Sequence, residues 1–176
     1  TTDARAMARL SLFDWMMVAR AGAGQPVSRI IRDFVAAEGG RPMASIAGST
    51  EKYPARAAAL ANGTISHALD YDDTHFAHVG HLSVGIMPAA LAAAEEADVA
   101  ADVVCDAFLV GAEAAIRLGV ALGRGHYEKG FHQTATAGAF GATVVAGRIH
   151  RLTRDQMRMA LSLVSTRVSG LKSQFG

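Results

Sequence analysis

The chain has 176 residues, 51% of them hydrophobic but only 6% aromatic, with a formal net charge of +1. One domain with an aliphatic core fits that length. Scattered basic residues at near-zero net charge give no basis for nucleic-acid binding. The longest apolar run, Val103 to Ile116, is interrupted by Asp106 and Glu113, which argues against a membrane span, and the lone Cys105 excludes an intramolecular disulfide. Thr1 to Arg9 lacks a signal-peptide pattern, so the expected location is cytoplasmic.

Met7, Leu10, Phe13, Met17 and Val18 recur at helical spacing and predict a first helix over 3–21, stopped by Gly22 and Gly24. Val27, Ile30, Ile31, Phe34 and Val35 predict a second helix ending at Gly39 and Gly40. Residues 43–47, between Pro42 and Gly48, form at most a short strand. Pro54 opens an alanine-rich helix from Ala55 to about Asp70, and 72–84 reads as a loop. Further helices are expected over 84–97, 102–122, about 132–150 and 153–169, with Gly123 to Gly130 a polar loop. The 102–122 helix is apolar nearly all round and belongs in a core. The helix after His132 carries Gly138, Gly141 and Gly147 among alanines, a pattern that permits close helix packing. Thr153 and Gln156 have the spacing of a capping box. The expected fold class is all-α, a helical bundle-like domain with one short strand.

Against this apolar background, His67 to Ser83 concentrates four of the seven histidines, His67, His75, His78 and His81, with Asp70, Asp72 and Asp73. Three readings compete. A metal site would use the histidines and carboxylates as ligands, although no known zinc or di-iron spacing is present. An acid/base site would use a histidine near its solution pKa with an aspartate fixing its tautomer. A structural role would have the aspartates cap backbone amides. Continuing a helix to Thr74 would place His67, Asp70 and Thr74 on one face. A second polar island, Tyr127 to Thr136, puts His132, Thr134 and Thr136 at a helix start, where free amides can cradle a carboxylate or a threonine can cap.

The motifs Asn-Gly-Thr-Ile-Ser-His-Ala-Leu-Asp-Tyr-Asp-Asp-Thr-His over 62–75, His-Leu-Ser over 81–83 and Gly-Phe-His-Gln-Thr-Ala-Thr-Ala-Gly-Ala-Phe-Gly over 130–141 resemble the MmgE/PrpD family, as do the Gln156 helix, Ser169-Gly-Leu and the closing Phe175-Gly176. That family includes 2-methylcitrate dehydratase, cis-aconitate decarboxylase and iminodisuccinate epimerase. The resemblance extends over residues 1–176 as the N-terminal part of the family's helical domain. It implies a homodimer acting on a small di- or tricarboxylate without metal or organic cofactor, a lyase of the 2-methylcitrate dehydratase type. Carried over, the family's active-site residues fall on Asp70, Thr74, His81 and His132, with His81, His132 and Asp70 expected to act in catalysis and Thr74 to bind substrate; Thr134, at the helix start of the second island, is expected to bind substrate with it. Two departures stand out: Leu82 replaces the family's usual proline, and the Lys-Pro-Leu-His segment and α+β lid domain do not follow. The chain alone is therefore expected to be inactive, and the alternative is a helical dimerisation module derived from the family.

Overall fold

A computed structural model describes residues 1–175; Gly176, and with it the end of the Phe175-Gly176 motif, lies outside the described residues. Among the described residues seven α-helices dominate: α1 (Thr2–Gly22), α2 (Pro26–Glu38), α3 (Ala55–Ser66), α4 (Ser83–Ala97), α5 (Ala101–Glu128), α6 (Gln133–Ile149) and α7 (Arg154–Ser165). Two antiparallel pairs of two-residue strands accompany them, β1 (Ala44–Ser45) with β2 (Lys52–Tyr53) and β3 (Thr74–His75) with β4 (Gly80–His81). The all-α expectation holds.

Local chemistry accounts for most boundaries. Pro26 occupies the first turn of α2, where its missing N–H costs nothing, and Gly39 closes that helix at φ 66. The Thr153–Gln156 capping box forms in both directions at the start of α7.

The helix that is buried on every side is α4, rather than α5 as its composition suggests. Val84, Ile86, Met87, Ala90, Ala92, Ala93 and Ala94 all lose contact with solvent, whereas α5 exposes Val103, Val110, Val120, Glu113 and Arg117 along one flank. Small side chains let α4 sit between α3, α5 and α6 at once. One core cluster joins α1, α4, α5 and α6 around Trp15, Ile86, Phe108 and Val145; a second joins α2, α3 and β1 around Val35, Ile46 and Ile65. Asn62 ties the second cluster to β1 by imitating a strand, its Oδ1 accepting from Ala47 N–H at 2.8 Å and its Nδ2 donating to Ser45 O at 2.9 Å.

The glycine-rich face of α6 packs as its composition implies. A Cβ at Gly141 would meet the Gly111 carbonyl at 2.8 Å, and one at Gly111 would meet the Gly141 carbonyl at the same distance, so the backbones of α5 and α6 touch there.

Four boundaries differ from the sequence reading. Helix α3 stops at Ser66 instead of about Asp70, because the chain tightens into turns there, with Ala68 N–H donating to Ile65 O and Asp70 N–H to His67 O, and Asp70 reverses it at φ 54. The segment 72–84 contains the β3–β4 hairpin. Only Gly123 (φ 67) breaks α5, and helix resumes through Glu128 where a loop was expected. Helix α7 ends at Ser165 rather than 169.

The tip of the β3–β4 hairpin is pressed onto α5 at Gly119, where a Cβ would overlap His78 Nδ1 and come within 2.9 Å of Gln133 Oε1. Gly119→Ala should therefore lower unfolding free energy by about 1–3 kcal/mol. Gly138→Ala, with nothing within 4 Å of the added Cβ, should leave stability unchanged or raise it by up to ~1 kcal/mol. Urea denaturation of the two variants checks the difference in sign.

Candidate active site

Beyond α3 the chain turns sharply. His67 is the last helical residue's cap, and Asp70 adopts φ 54, a left-handed conformation that aspartate tolerates better than most residues. This reversal ends the expected shared helical face of His67, Asp70 and Thr74. It instead folds Asp72 inward, where the buried carboxylate meets two imidazoles. His67 Nδ1 lies 2.9 Å and 3.1 Å from the two Asp72 oxygens. His81 Nδ1 lies 3.2 Å from Asp72 Oδ2 and 3.0 Å from the Asp72 backbone carbonyl. A carbonyl can only accept, so His81 carries its proton on Nδ1. His81 Nε2 faces exposed Asp70 at 3.4 Å, a long contact.

Asp73 takes the capping role expected of the aspartates. It accepts from Ser83 N–H at 2.9 Å and from Ser83 Oγ–H at 2.6 Å, fixing the start of α4. His78, which the sequence reading treats as a loop residue, is fully buried; its Nδ1–H donates to Ala115 O at 3.1 Å. Val79 beside it is held at φ 56, an unfavourable conformation for a β-branched residue, by the 2.8 Å bond from its N–H to His75 O. Anchoring the hairpin tip in this way presents β4, and so His81, to the start of α6.

His132 caps α6 and donates its backbone N–H to Gly170 O at 3.0 Å, while Phe131 and Leu171 form an antiparallel bridge. The segment after α7 therefore holds His132 in place. Neither threonine caps the helix. Thr134 Oγ1 accepts from His81 N–H at 2.9 Å, and Thr136 Oγ–H turns back to His132 O at 3.1 Å. Gly80 packs over Thr134, where a Cβ would come within 2.9 Å of its amide nitrogen and its hydroxyl. The expected amide cradle at Thr134 is thus covered by the hairpin. Gln133 Nε2 donates to Gly123 O at 2.9 Å and stabilises the break in α5.

These elements enclose a cleft of about 920 Å³ lined by His67, Asp70, Thr74, His81, Arg124 and His132. Four of the five residues proposed from the sequence line it, and the fifth, Thr134, lies directly behind His81. The His67 ring is 5.2 Å from His81, edge to face, and 6.1 Å from His132, stacked. The hydrogen bond to Asp72 raises the His67 pKa above its ordinary value. Burial, followed by the neighbouring His67 and His81, lowers that of His132. Such a pocket can move protons and receive an anion. Sequence reasoning left out the Asp72 link and Arg124: Asp72 is indistinguishable from Asp73 in sequence, and Arg124 sits in what reads as loop.

His67, Asp70 and Asp72 offer polar atoms within 4.8 Å of one another, close enough to raise the question of a cation. Both Asp72 oxygens, however, already face imidazole nitrogens at hydrogen-bond distance, so the group reads as a hydrogen-bonded network rather than a ligand set.

A profile of the MmgE/PrpD N-terminal domain matches residues 1–176. The chain is 32% identical over 139 residues to cis-aconitate decarboxylase of Aspergillus terreus, covering 74% of the chain and 28% of that protein. It is 29% identical over 135 residues to the cis-aconitate decarboxylase-like protein oryM of Aspergillus oryzae, covering 72% of the chain and 28% of that protein. The chain thus spans little more than a quarter of the length of these curated relatives.

The buried hairpin anchor generates a pH dependence. Burial lowers the folded-state pKa of His78 below the unfolded value of about 6.5. Above that pH both states are neutral at this position and it contributes no slope. As pH falls through about 6.5 the unfolded chain takes up a proton that the folded state refuses, so stability declines until the folded pKa is reached. Urea midpoints measured between pH 7.5 and 5.5 should fall more steeply in the wild type than in His78→Gln.

Proposed function

Since the chain belongs to the MmgE/PrpD family, we propose that it supplies the proton-transfer wall of a pocket for a small di- or tricarboxylate in a lyase. The observation that carries this reading is the convergence of His67, His81 and His132 with Asp70, Thr74 and Arg124 on one cleft. Carboxylate substrates suit it, because Arg124 and His67, whose pKa the Asp72 hydrogen bond raises, supply positive charge and Thr74 a neutral hydroxyl.

The chemistry needs donors and acceptors of protons in a fixed arrangement. In dehydration of a 2-methylcitrate type of substrate, a base removes the proton alpha to a carboxylate, and an acid protonates the departing hydroxyl, which leaves as water. In decarboxylation of cis-aconitate, carbon dioxide leaves and an acid protonates the carbon that receives the electron pair. Both use the same wall, with His81 and His132 moving protons, Asp70 orienting His81 and Thr74 hydrogen-bonding substrate oxygens. The names of the relatives make cis-aconitate the first substrate to test, and 2-methylcitrate the second. Neither route requires a metal or an organic cofactor from these residues.

The homodimer belongs to the same proposal. Met7, Leu10, Phe13 and Met17 on α1 and Val27, Ile30 and Phe34 on α2 are exposed, more apolar surface than an isolated domain usually leaves to water. A second copy would cover it.

In the complete polypeptide, His132→Ala and His81→Ala should each reduce kcat/KM on the preferred carboxylate by roughly a hundredfold to ten-thousandfold. Near-normal turnover of cis-aconitate and 2-methylcitrate in both variants would remove these residues from the mechanism. Prolonged dialysis against a chelator should leave turnover unchanged. Sedimentation should give a dimer, and Phe13→Asp with Ile30→Asp should shift it toward monomer.

A further inference from the structure

We propose that the ligand of this cleft is a carboxylate carrying an alkyl chain longer than a methyl group, and that Phe76, Val79 and Val120 form the wall that holds the chain. The inference rests on the carboxylate reading above and names the part of the ligand which that reading leaves open.

The cleft has two unlike ends. At the turn after α3 and the start of α6 it is lined by imidazoles, with Asp70 and Thr74 beside them. At the hairpin tip it is lined by Phe76, Ala77 and Val79, and α5 adds Val120 and Tyr127. The seating of His78 against Gly119 fixes this second end, because it brings the hairpin tip down onto α5 one residue before Val120. Arg124 stands between Val120 and Tyr127 in the chain, so a carboxylate held by its guanidinium has apolar side chains to either side of it along α5.

The apolar end is left to water. Phe76 is 91% exposed and Val120 55% exposed, although both line the cleft. Exposed apolar surface gathered in a cleft, next to a few convergent polar groups, marks a ligand site whose occupant carries both kinds of surface. A small tricarboxylate charged at every end cannot cover a phenyl ring without stripping water from its own carboxylates. An alkyl chain attached to the carboxylate head covers the ring and gains free energy by doing so.

The backbone at Val79 gives a second reason. Its φ of 56 is costly for a β-branched residue, and glycine or asparagine would hold the same turn with less strain. The hairpin nevertheless places an isopropyl group on the cleft wall there. Strain kept at a site border points to a use for the side chain that bears it, here an apolar surface and not the turn itself. The cleft also has the room: about 920 Å³ lies near the top of the range of roughly 300–1,000 Å³ found for pockets that enclose drug-sized ligands, and exceeds what a six-carbon tricarboxylate fills.

The test is calorimetric titration of the complete polypeptide with methylsuccinate, butylsuccinate and hexylsuccinate, dicarboxylates with no hydroxyl or double bond to react. Affinity should rise about twofold per added methylene, less than full transfer from water would give because the chain stays partly wet, and so on the order of thirtyfold from methyl to hexyl. The readout is the hexyl-to-methyl affinity ratio within each protein, which is insensitive to any change in the hold on the head group. Phe76→Ser and Val120→Ser, at exposed positions, should each lower that ratio by about threefold or more. Val79→Asn, which suits the left-handed backbone, should lower it as well, whereas a valine serving only the turn would leave it unchanged. The proposal is overturned if hexylsuccinate binds wild type no more tightly than methylsuccinate, a result that needs no variant to fold. It is also overturned if the wild-type ratio persists in all three variants, which would put the chain elsewhere. Titration with 1-hexanol separates the two readings: if it binds as tightly as hexylsuccinate and depends on the same three side chains, the apolar wall stands and the carboxylate reading falls.

Discussion

The buried carboxylate of Asp72 is the interaction on which the site depends. It joins the turn after α3 to β4, two segments that regular secondary structure does not connect, by accepting from one imidazole of each. A carboxylate so placed must be hydrogen-bonded or lose several kcal/mol to desolvation. The requirement therefore works in both directions: His67 and His81 satisfy Asp72, and Asp72 fixes which nitrogen of His67 remains for chemistry. The neighbouring aspartates have different tasks because the chain turns between them, Asp73 outward to the start of α4 and Asp70 into the cleft.

That network can exist only because the helices beneath it approach closely. Gly111 and Gly141 bring the backbones of α5 and α6 together, and Gly119 leaves room for His78 to seat the hairpin on α5. With α4 buried on all sides and built from alanine, the core is thin enough for α3, β4, α5 and α6 to reach one cleft. The low aromatic content has this geometric consequence: small side chains shorten the distances between helices, and the polar residues at their ends converge. Two of the four left-handed non-glycine residues among those described, Asp70 and Val79, border the cleft, so part of the backbone strain lies at the site.

Helices were readable where apolar residues recur at regular spacing, as in α1, α2 and α6, and where a cap is local, as in Thr153 with Gln156. They were misread where the boundary depends on distant partners. The expected helix through Asp70 fails because Asp70 turns back at φ 54 to bring Asp72 to the imidazoles, and the segment after Gly123 stays helical although its polar composition suggests a loop. Likewise α5 looked like the buried helix, yet burial depends on what surrounds a helix, and α4 has neighbours on every side.

By itself the sequence determined the helical class, the close packing of the glycine-rich helix and the two polar islands, since each follows from side chains near one another along the chain. The family motifs also lie in such local strings. Only the tertiary structure decided that Asp72, and not Asp70, grips the imidazoles, that Thr134 backs His81 instead of leaving open amides, and that Arg124 enters the cleft. These assignments depend on contacts between distant residues, as for Thr134 with His81, 53 positions apart, and the orientation of a side chain across such a separation is set by packing rather than by spacing.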